Sequence, residues 1–432
     1  MYTFHILDGR FNGDRFGNKG RIMNNKFLEK YAELAIKVGV NLQKGEMLVI
    51  NAPVTAAKFV EILTKRAYKC GARNVEIQWG DEAISKLGFK YRSKKELGKV
   101  PEWIKRRSDY YIDEKIAYLN VFSENPEALK GVNPEKVAIF RRARGMALQR
   151  FRDYTGSNKL RWCIIAYPNK AWAKKMFPEL SASAALEKQW EYIAKTVRLD
   201  EDDAVKAWQE HQNRIVKRCE ALNKAEIKSF TYKNSLGTNV TVGMPAGYIF
   251  CGGAEKGELD GVYFTANMPT EEVFSCPDKN SVNGKIVASM PLCRNGQIID
   301  GFWFEFKDGK IVNFGAEQGY DNLKTIIETD EGSRYLGEIA LVGYNSPIRN
   351  LETMFYETLF DENASCHFAI GDCYPTCLVG GGEMTKEELA EHGLNTSIEH
   401  VDFMVGTKDL EITAETSGGE EIKIFENGEW AI

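Results

Sequence analysis

Near Glu226 the hydrophobic pattern of this chain changes its period, and that change restricts the fold more than any other feature of its 432 residues. Upstream, apolar runs of strand length alternate with stripes of helical spacing. Asn25 to Val38 carries Phe27, Tyr31, Leu34, Ala35 and Val38 on one helical face, with Gly39 placed to end it. The run Met47–Ile50, the stripe Phe59, Ile62, Leu63 and Ala67, the stop at Gly71 and the run Val75–Trp79 read as strand, helix and strand, the unit of a parallel sheet. Further strands are expected in KIAYLNVF and LRWCIIAY, and helices from Glu135 to Tyr154 and from Ser181 to Leu222. Downstream the segments are short, alternate in polarity and are punctuated by Gly, Asn and Asp, as in FTYKNSLGTNVTVG and DGFWFEFKDGKIVNFGAE, with helices at YDNLKTIIETD and TKEELAEHG. A chain this long exceeds one ordinary core. The expectation is an α/β protein with an N-terminal open α/β layer domain over residues 23–225 and a β-rich α+β metal-binding domain over residues 226–432.

Charge divides at the same place. Residues 226–432 hold about 34 acidic and 14 basic side chains, which puts that half near −20 and the remainder near +16. An acidic domain concentrates cations, whether metal ions or a substrate ammonium, and also packs well against a basic one. No G-x-G-x-x-G follows a strand and no P-loop is present, so the α/β layer does not carry a nucleotide with it. No run of 18 apolar residues and no secretory signal occur, and nine cysteines are scattered without CxxC pairing, which points to the cytoplasm. Cys366, Cys373 and Cys377 match no familiar zinc spacing and are expected to be buried thiols. Residues 1–22 show no sustained period. They are expected to be a non-native or disordered leader, with Met23 as the native start.

Histidine is scarce. Of five, His5 lies in the leader, His211 sits in the charged stretch WQEHQNRIVKRCE and is expected to be solvated, and His392 precedes Gly393 at a helix end. His367 and His400 differ, because ENASCHFAIG and SIEHVDFMVG are apolar. Along a strand His400, Asp402 and Met404 share one face while Val401, Phe403 and Val405 share the other. Cα atoms roughly 6 to 7 Å apart let an imidazole and a carboxylate converge on one divalent ion or serve two. A hydrogen-bonded His-Asp core pair is the alternative for this segment alone. Glu271 and Glu272 in NMPTEEVFS and Glu338 in YLGEIALVGY add carboxylates beside apolar strands; each alone reads as an exposed strand-end residue, but five such anomalies within one domain weaken that reading.

In that order, MPTEEVF, LGEIAL, FDENASCHFAIG and HVDFMVG resemble the motifs of the thermophilic-type metallo-aminopeptidases of peptidase family M29, and the likeness runs from about Met23 to the C-terminus. The resemblance implies a hydrolase with two bound divalent metal ions, Zn²⁺, Co²⁺ or Mn²⁺, that removes N-terminal residues from short peptides with a free N-terminus. Its metal-binding positions fall on Glu272, Glu338, His367, His400 and Asp402, with Glu272 rather than Glu271 matching the ligand of that pair. Its active-site tyrosine falls on Tyr374 in GDCYPTC, where the hydroxyl is suited to donate a hydrogen bond to an oxyanion. Glu338 or Glu271 is expected to move the proton to the leaving amine. A cytoplasmic homodimer with neither nucleic-acid nor membrane partners completes the implied picture.

Two other functions use parts of the same sequence. EKVAIFRRARGMALQRFRDYTGSNKLRW carries Arg141, Arg142, Arg144, Arg150 and Arg152 among aromatics and would suit a nucleic-acid backbone. Against this, Ile139, Ala143, Met146, Ala147 and Phe151 trace a stripe suited to packing. A two-metal phosphoesterase needs the same ligand types, but no DxH or HD-type motif accompanies them.

Overall fold

In the computed structural model, which describes residues 25–294 and 297–432, the upstream strands form a parallel sheet. Its order is Asn74–Gly80, Met47–Pro53, Ala117–Phe122 and Trp162–Ala166. The expected leader, residues 1–22, lies outside the described residues. A fifth strand, Asn267–Met268, pairs in parallel with Trp162–Ala166 and comes from beyond the change of pattern. Helix Ala57–Lys69 covers the sheet with Phe59, Val60, Leu63 and Ala67, the stripe that its spacing dictates. The expected helix from Glu135 to Tyr154 is two helices, Pro134–Ala147 and Gln149–Gly156, with Leu148 between them. Asn133 caps the first by accepting from the Glu135 and Lys136 amides, and Pro134 opens it. Arg150 in the second pairs with Asp109 at 2.7 Å, so part of the basic stretch is committed to its own surroundings.

The core around this sheet is built from both sides of residue 226. Trp172, Trp190 and Trp208 share it with Met268, Ile348, Phe355 and Phe360. The Trp172 indole N–H donates to the Phe355 carbonyl at 2.5 Å, and the Phe355 and Phe360 rings stack with centroids 4.4 Å apart. Buried Arg161 ties the same regions together, donating to the carbonyls of Val40 and Asn41 and pairing with Glu46 and with Asp260 at 2.8 Å.

Downstream, the short alternating segments form two large antiparallel sheets and two two-stranded pairs, Glu255–Lys256 with Tyr263–Phe264 and Leu292–Arg294 with Gln297–Ile299. The larger runs Lys310–Gly315, Trp303–Lys307, Val282–Val287, Asn239–Gly243, Ile227–Lys233, Glu411–Thr416, Glu421–Glu426 and Glu429–Trp430. The smaller runs Val273–Ser275, Leu336–Leu341, His367–Gly371 and His400–Met404. Ile339, Leu341, Phe368, Ile370, Val401 and Phe403 share one buried core with Phe230, Tyr232 and Phe304 of the larger sheet. Period-2 alternation leaves the opposite face of the smaller sheet to Glu338, His367, His400 and Asp402. Across these strands the intervening positions are small: Ala340 pairs with His367, Ala369 lies between Glu338 and Asp402, and Gly371 pairs with His400. This is the fold's reason for an imidazole and a carboxylate where a core strand would carry valine.

Candidate metal centre

Local backbone geometry aims the donors. The register shifts between Leu336 and Glu338, a bulge that lets Leu336 join the buried core while Glu338, two residues on, stands on the polar face. Gly337 allows it, since a Cβ there would lie 2.3 Å from the Asp372 carbonyl oxygen. Glu272 stands immediately before strand Val273–Ser275 and only four residues after the edge strand of the parallel sheet. Two donor triads result, Glu272 with Glu338 and His367, and Glu338 with His400 and Asp402, each with its ligating atoms within 4.8 Å of one another. Glu338 belongs to both. Its Oε1 lies 3.6 Å from His367 Nε2 and its Oε2 3.3 Å from His400 Nε2. Glu272 Oε2 is 3.2 Å from His367 Nε2, and Asp402 Oδ1 is 3.1 Å from His400 Nε2.

The chemistry of this donor set fits cations. His367 Nδ1 lies 3.2 Å from the Ser365 carbonyl and His400 Nδ1 2.8 Å from that of Asp372, so each ring is oriented by a backbone acceptor, as in metal-ligating histidines. With the proton on Nδ1, Nε2 presents a lone pair to carboxylate oxygens that are also acceptors. His367 Nε2 is buried without a hydrogen-bond partner. Burial works against charge at every position, yet the carboxylates hold both imidazoles well above their ordinary pKa. The same contacts hold Glu338 and Asp402 below the usual carboxylate range, while burial keeps Glu272 above it. Both results describe a cluster short of positive charge.

A cleft open to solvent runs past the cluster between the edge of the parallel sheet and the smaller antiparallel sheet. Tyr374 lines it, 41% exposed, with its ring against His400 at 5.1 Å. Glu362 lines it too. Burial and the neighbouring Asp402 and Glu272 push the Glu362 carboxyl well above its ordinary pKa. It lies within FDENASCHFAIG, but nothing in the periodicity marked it. Glu271 turns away from the cluster: it pairs with Arg198 at 2.7 Å, and its amide donates to Asn363 Oδ1 at 2.7 Å. Cys366, Cys373 and Cys377 are buried.

His211 corrects the sequence reading. It is 5% exposed, its ring packs edge-on against Trp208, and Nε2–H donates to the Thr270 carbonyl at 2.7 Å, two residues before Glu272. Burial and the neighbouring Arg198 depress it to about 3, so it is neutral. The signal was present in the sequence. Ala204, Trp208, His211, Ile215, Cys219 and Leu222 trace the buried stripe of helix Ala204–Lys224, and the surrounding charges obscured it. His211→Ala is expected to lower unfolding stability by about 2 kcal/mol at pH 7, because it orphans a buried carbonyl and leaves a void, and a urea titration reads this directly.

Against known proteins, the family described as Thermophilic metalloprotease (M29) matches residues 24–430. The chain is 42% identical to Aminopeptidase 2 of Geobacillus stearothermophilus and 42% identical to Aminopeptidase AmpS of Bacillus subtilis strain 168, in each case over 94% of this chain and 98% of the relative. Its fold is similar to that of wild-type AmpT from Thermus thermophilus, with a TM-score of 0.88 at 33% identity, over 94% of this chain and 99% of that one.

Proposed function

Since the chain belongs to the M29 family of thermophilic metalloproteases and is a metal-dependent aminopeptidase, we propose that Glu272, Glu338, His367, His400 and Asp402 hold two divalent cations beside which the N-terminal peptide bond of short peptides is hydrolysed. One observation carries the two-ion reading: the two oxygens of Glu338 face different imidazoles, the disposition of a carboxylate shared between two sites. Charge supports it, since Glu272, Glu338, Asp402 and Glu362 together carry as much negative charge when ionised as two dications carry positive. Carboxylate and imidazole donors suit Zn²⁺, Co²⁺ or Mn²⁺. When bound, such ions supply Lewis acidity to the scissile carbonyl and to the attacking water.

The chain's own groups do the rest. The Tyr374 hydroxyl, on the cleft wall beside His400, donates a hydrogen bond to the oxyanion as it develops, worth on the order of 2 to 4 kcal/mol for comparable donors. Glu338 is held between the two imidazoles as the shared ligand and Glu271 by Arg198. In this reading Glu362 therefore takes the proton from the attacking water and delivers it to the leaving amine. The division into residues 23–225 and 226–432 is part of this proposal, supported by the change of pattern and charge at Glu226, with Asn267–Met268 crossing back to complete the parallel sheet. Homodimeric assembly and a cytoplasmic location complete the proposal, supported by the family likeness and by cysteines scattered without CxxC pairing. Among the described residues no helix is long and apolar enough to cross a membrane. The nucleic-acid and phosphoesterase readings gain no support from the family or the relatives.

The test uses protein loaded with Zn²⁺, Co²⁺ or Mn²⁺ and two substrates, Leu-p-nitroanilide and its N-acetyl derivative. Release from the free amine alone, abolished by EDTA and restored by metal, is the expected result. Equal release from both, or release that survives chelation, overturns the reading.

A further inference from the structure

We propose that Glu255, set in place by Asn158, forms a binding site for the α-ammonium group of the peptide substrate. The inference rests on the aminopeptidase reading, under which every substrate brings one positive charge at a fixed distance from the bond to be cut. Glu255 lies in the two-residue strand Glu255–Lys256, which pairs with Tyr263–Phe264, and it lines the same cleft as Glu272, Tyr374 and His400. The segment before it is pressed against the metal centre. Gly252 has φ +150°, and a Cβ there would sit 2.5 Å from the Glu272 carbonyl oxygen. Gly253 follows with φ +77°, and its carbonyl accepts from the Gln212 side chain at 3.2 Å. These contacts hold the segment that leads into Glu255, and pairing with Tyr263–Phe264 continues it.

The carboxylate itself is short of a counter-charge. Among the described residues, the groups that act on its charge are the Asn158 side chain, which hydrogen-bonds it, and the like-charged Glu272, with no lysine, arginine or histidine among them. Burial, with Glu272 adding to it, pushes the carboxyl up to about 7. Asn158 is 7% exposed and held in the left-handed region at φ +54°, so the amide that steadies the carboxylate is itself fixed. The other carboxylates of the cleft have different partners. Glu272, Glu338 and Asp402 belong to the donor triads, and Glu362 faces Asp402 and Glu272. Glu255 belongs to neither triad. A primary ammonium has three donors for such an oxygen, and a charge-assisted bond out of bulk water is about twice as strong as a neutral one.

The experiment compares L-leucine, the product amino acid, with 4-methylpentanoate, the same skeleton without its amine, by titration calorimetry on metal-loaded protein. Wild type is expected to bind leucine at least tenfold tighter. Glu255→Gln keeps the size and the hydrogen bond to Asn158 but not the charge. It is expected to bring the ratio near one, with 4-methylpentanoate affinity, melting temperature and metal content unchanged, and to raise KM for Leu-p-nitroanilide about tenfold. A ratio near one in wild type, or one that persists in Glu255→Gln, overturns the site. A wild type that prefers leucine through Glu255 yet cleaves no free-amine substrate keeps the ammonium site and overturns the hydrolytic reading instead.

Discussion

Glu338→Gln is expected to leave the chain folded while reducing bound metal from about two ions to one or fewer and kcat/KM by on the order of 10³ or more, a barrier increase of about 4 kcal/mol. The substitution keeps the side chain's volume, so the buried strand Leu336–Leu341 retains its packing. The change is electronic. The carboxylate presents one oxygen to each imidazole, whereas the amide presents one weak acceptor and one NH₂ group, which donates to an Nε2 lone pair and blocks it as a ligand. Both triads therefore lose a ligand together. Metal analysis after dialysis, paired with Leu-p-nitroanilide turnover, reads the outcome. Two retained ions with more than a tenth of the activity would refute the shared role.

The second large effect comes from a residue with no functional group. Gly371 pairs with His400 and has φ +107°, and a Cβ at this position would lie 2.1 Å from the Glu399 carbonyl oxygen and 3.4 Å from the His400 amide nitrogen. Those atoms are backbone and cannot rotate aside. Gly371→Ala is expected to cost about 3 kcal/mol in stability, combining the unfavourable φ with the clash. It also displaces His400, and a displacement near 1 Å costs about 10² in kcat/KM even with every donor present. Bound metal should fall toward one ion per chain. Gly382, with no atom within 4 Å of its would-be Cβ, is the control, and its replacement by alanine should change neither melting temperature nor turnover.

The parts of the centre legible in the sequence were those governed by strand alternation. His400 and Asp402 share a face because side chains alternate, and the motif likeness brought in Glu272, Glu338 and Tyr374, which line the same cleft, and buried His367, which stands beside Glu272 and Glu338. What alternation could not reveal was what one strand does to another. The bulge at Gly337, which puts Leu336 and Glu338 on opposite faces, exists only against its neighbour. The strand Asn267–Met268 is two residues long, too short for any period, yet it completes the parallel sheet and delivers the chain to Glu272. Glu255 stands next to Lys256 and Glu362 next to Asp361, so in the sequence neither is distinguishable from a surface residue. His211 fails for the opposite reason, because abundant local charge hid a helical stripe that tertiary packing uses.

The shared core around Trp172 bears on any attempt to miniaturise this catalyst. A gene divided where the pattern changes would give a first product whose sheet lacks its edge strand and whose Trp172 indole lacks its acceptor. The second product would expose Met268, Ile348, Phe355 and Phe360 as a raw, sticky face. Neither fragment is a free-standing unit, and a smaller hydrolase drawn from this scaffold has to be trimmed at its surface loops instead of severed at its waist.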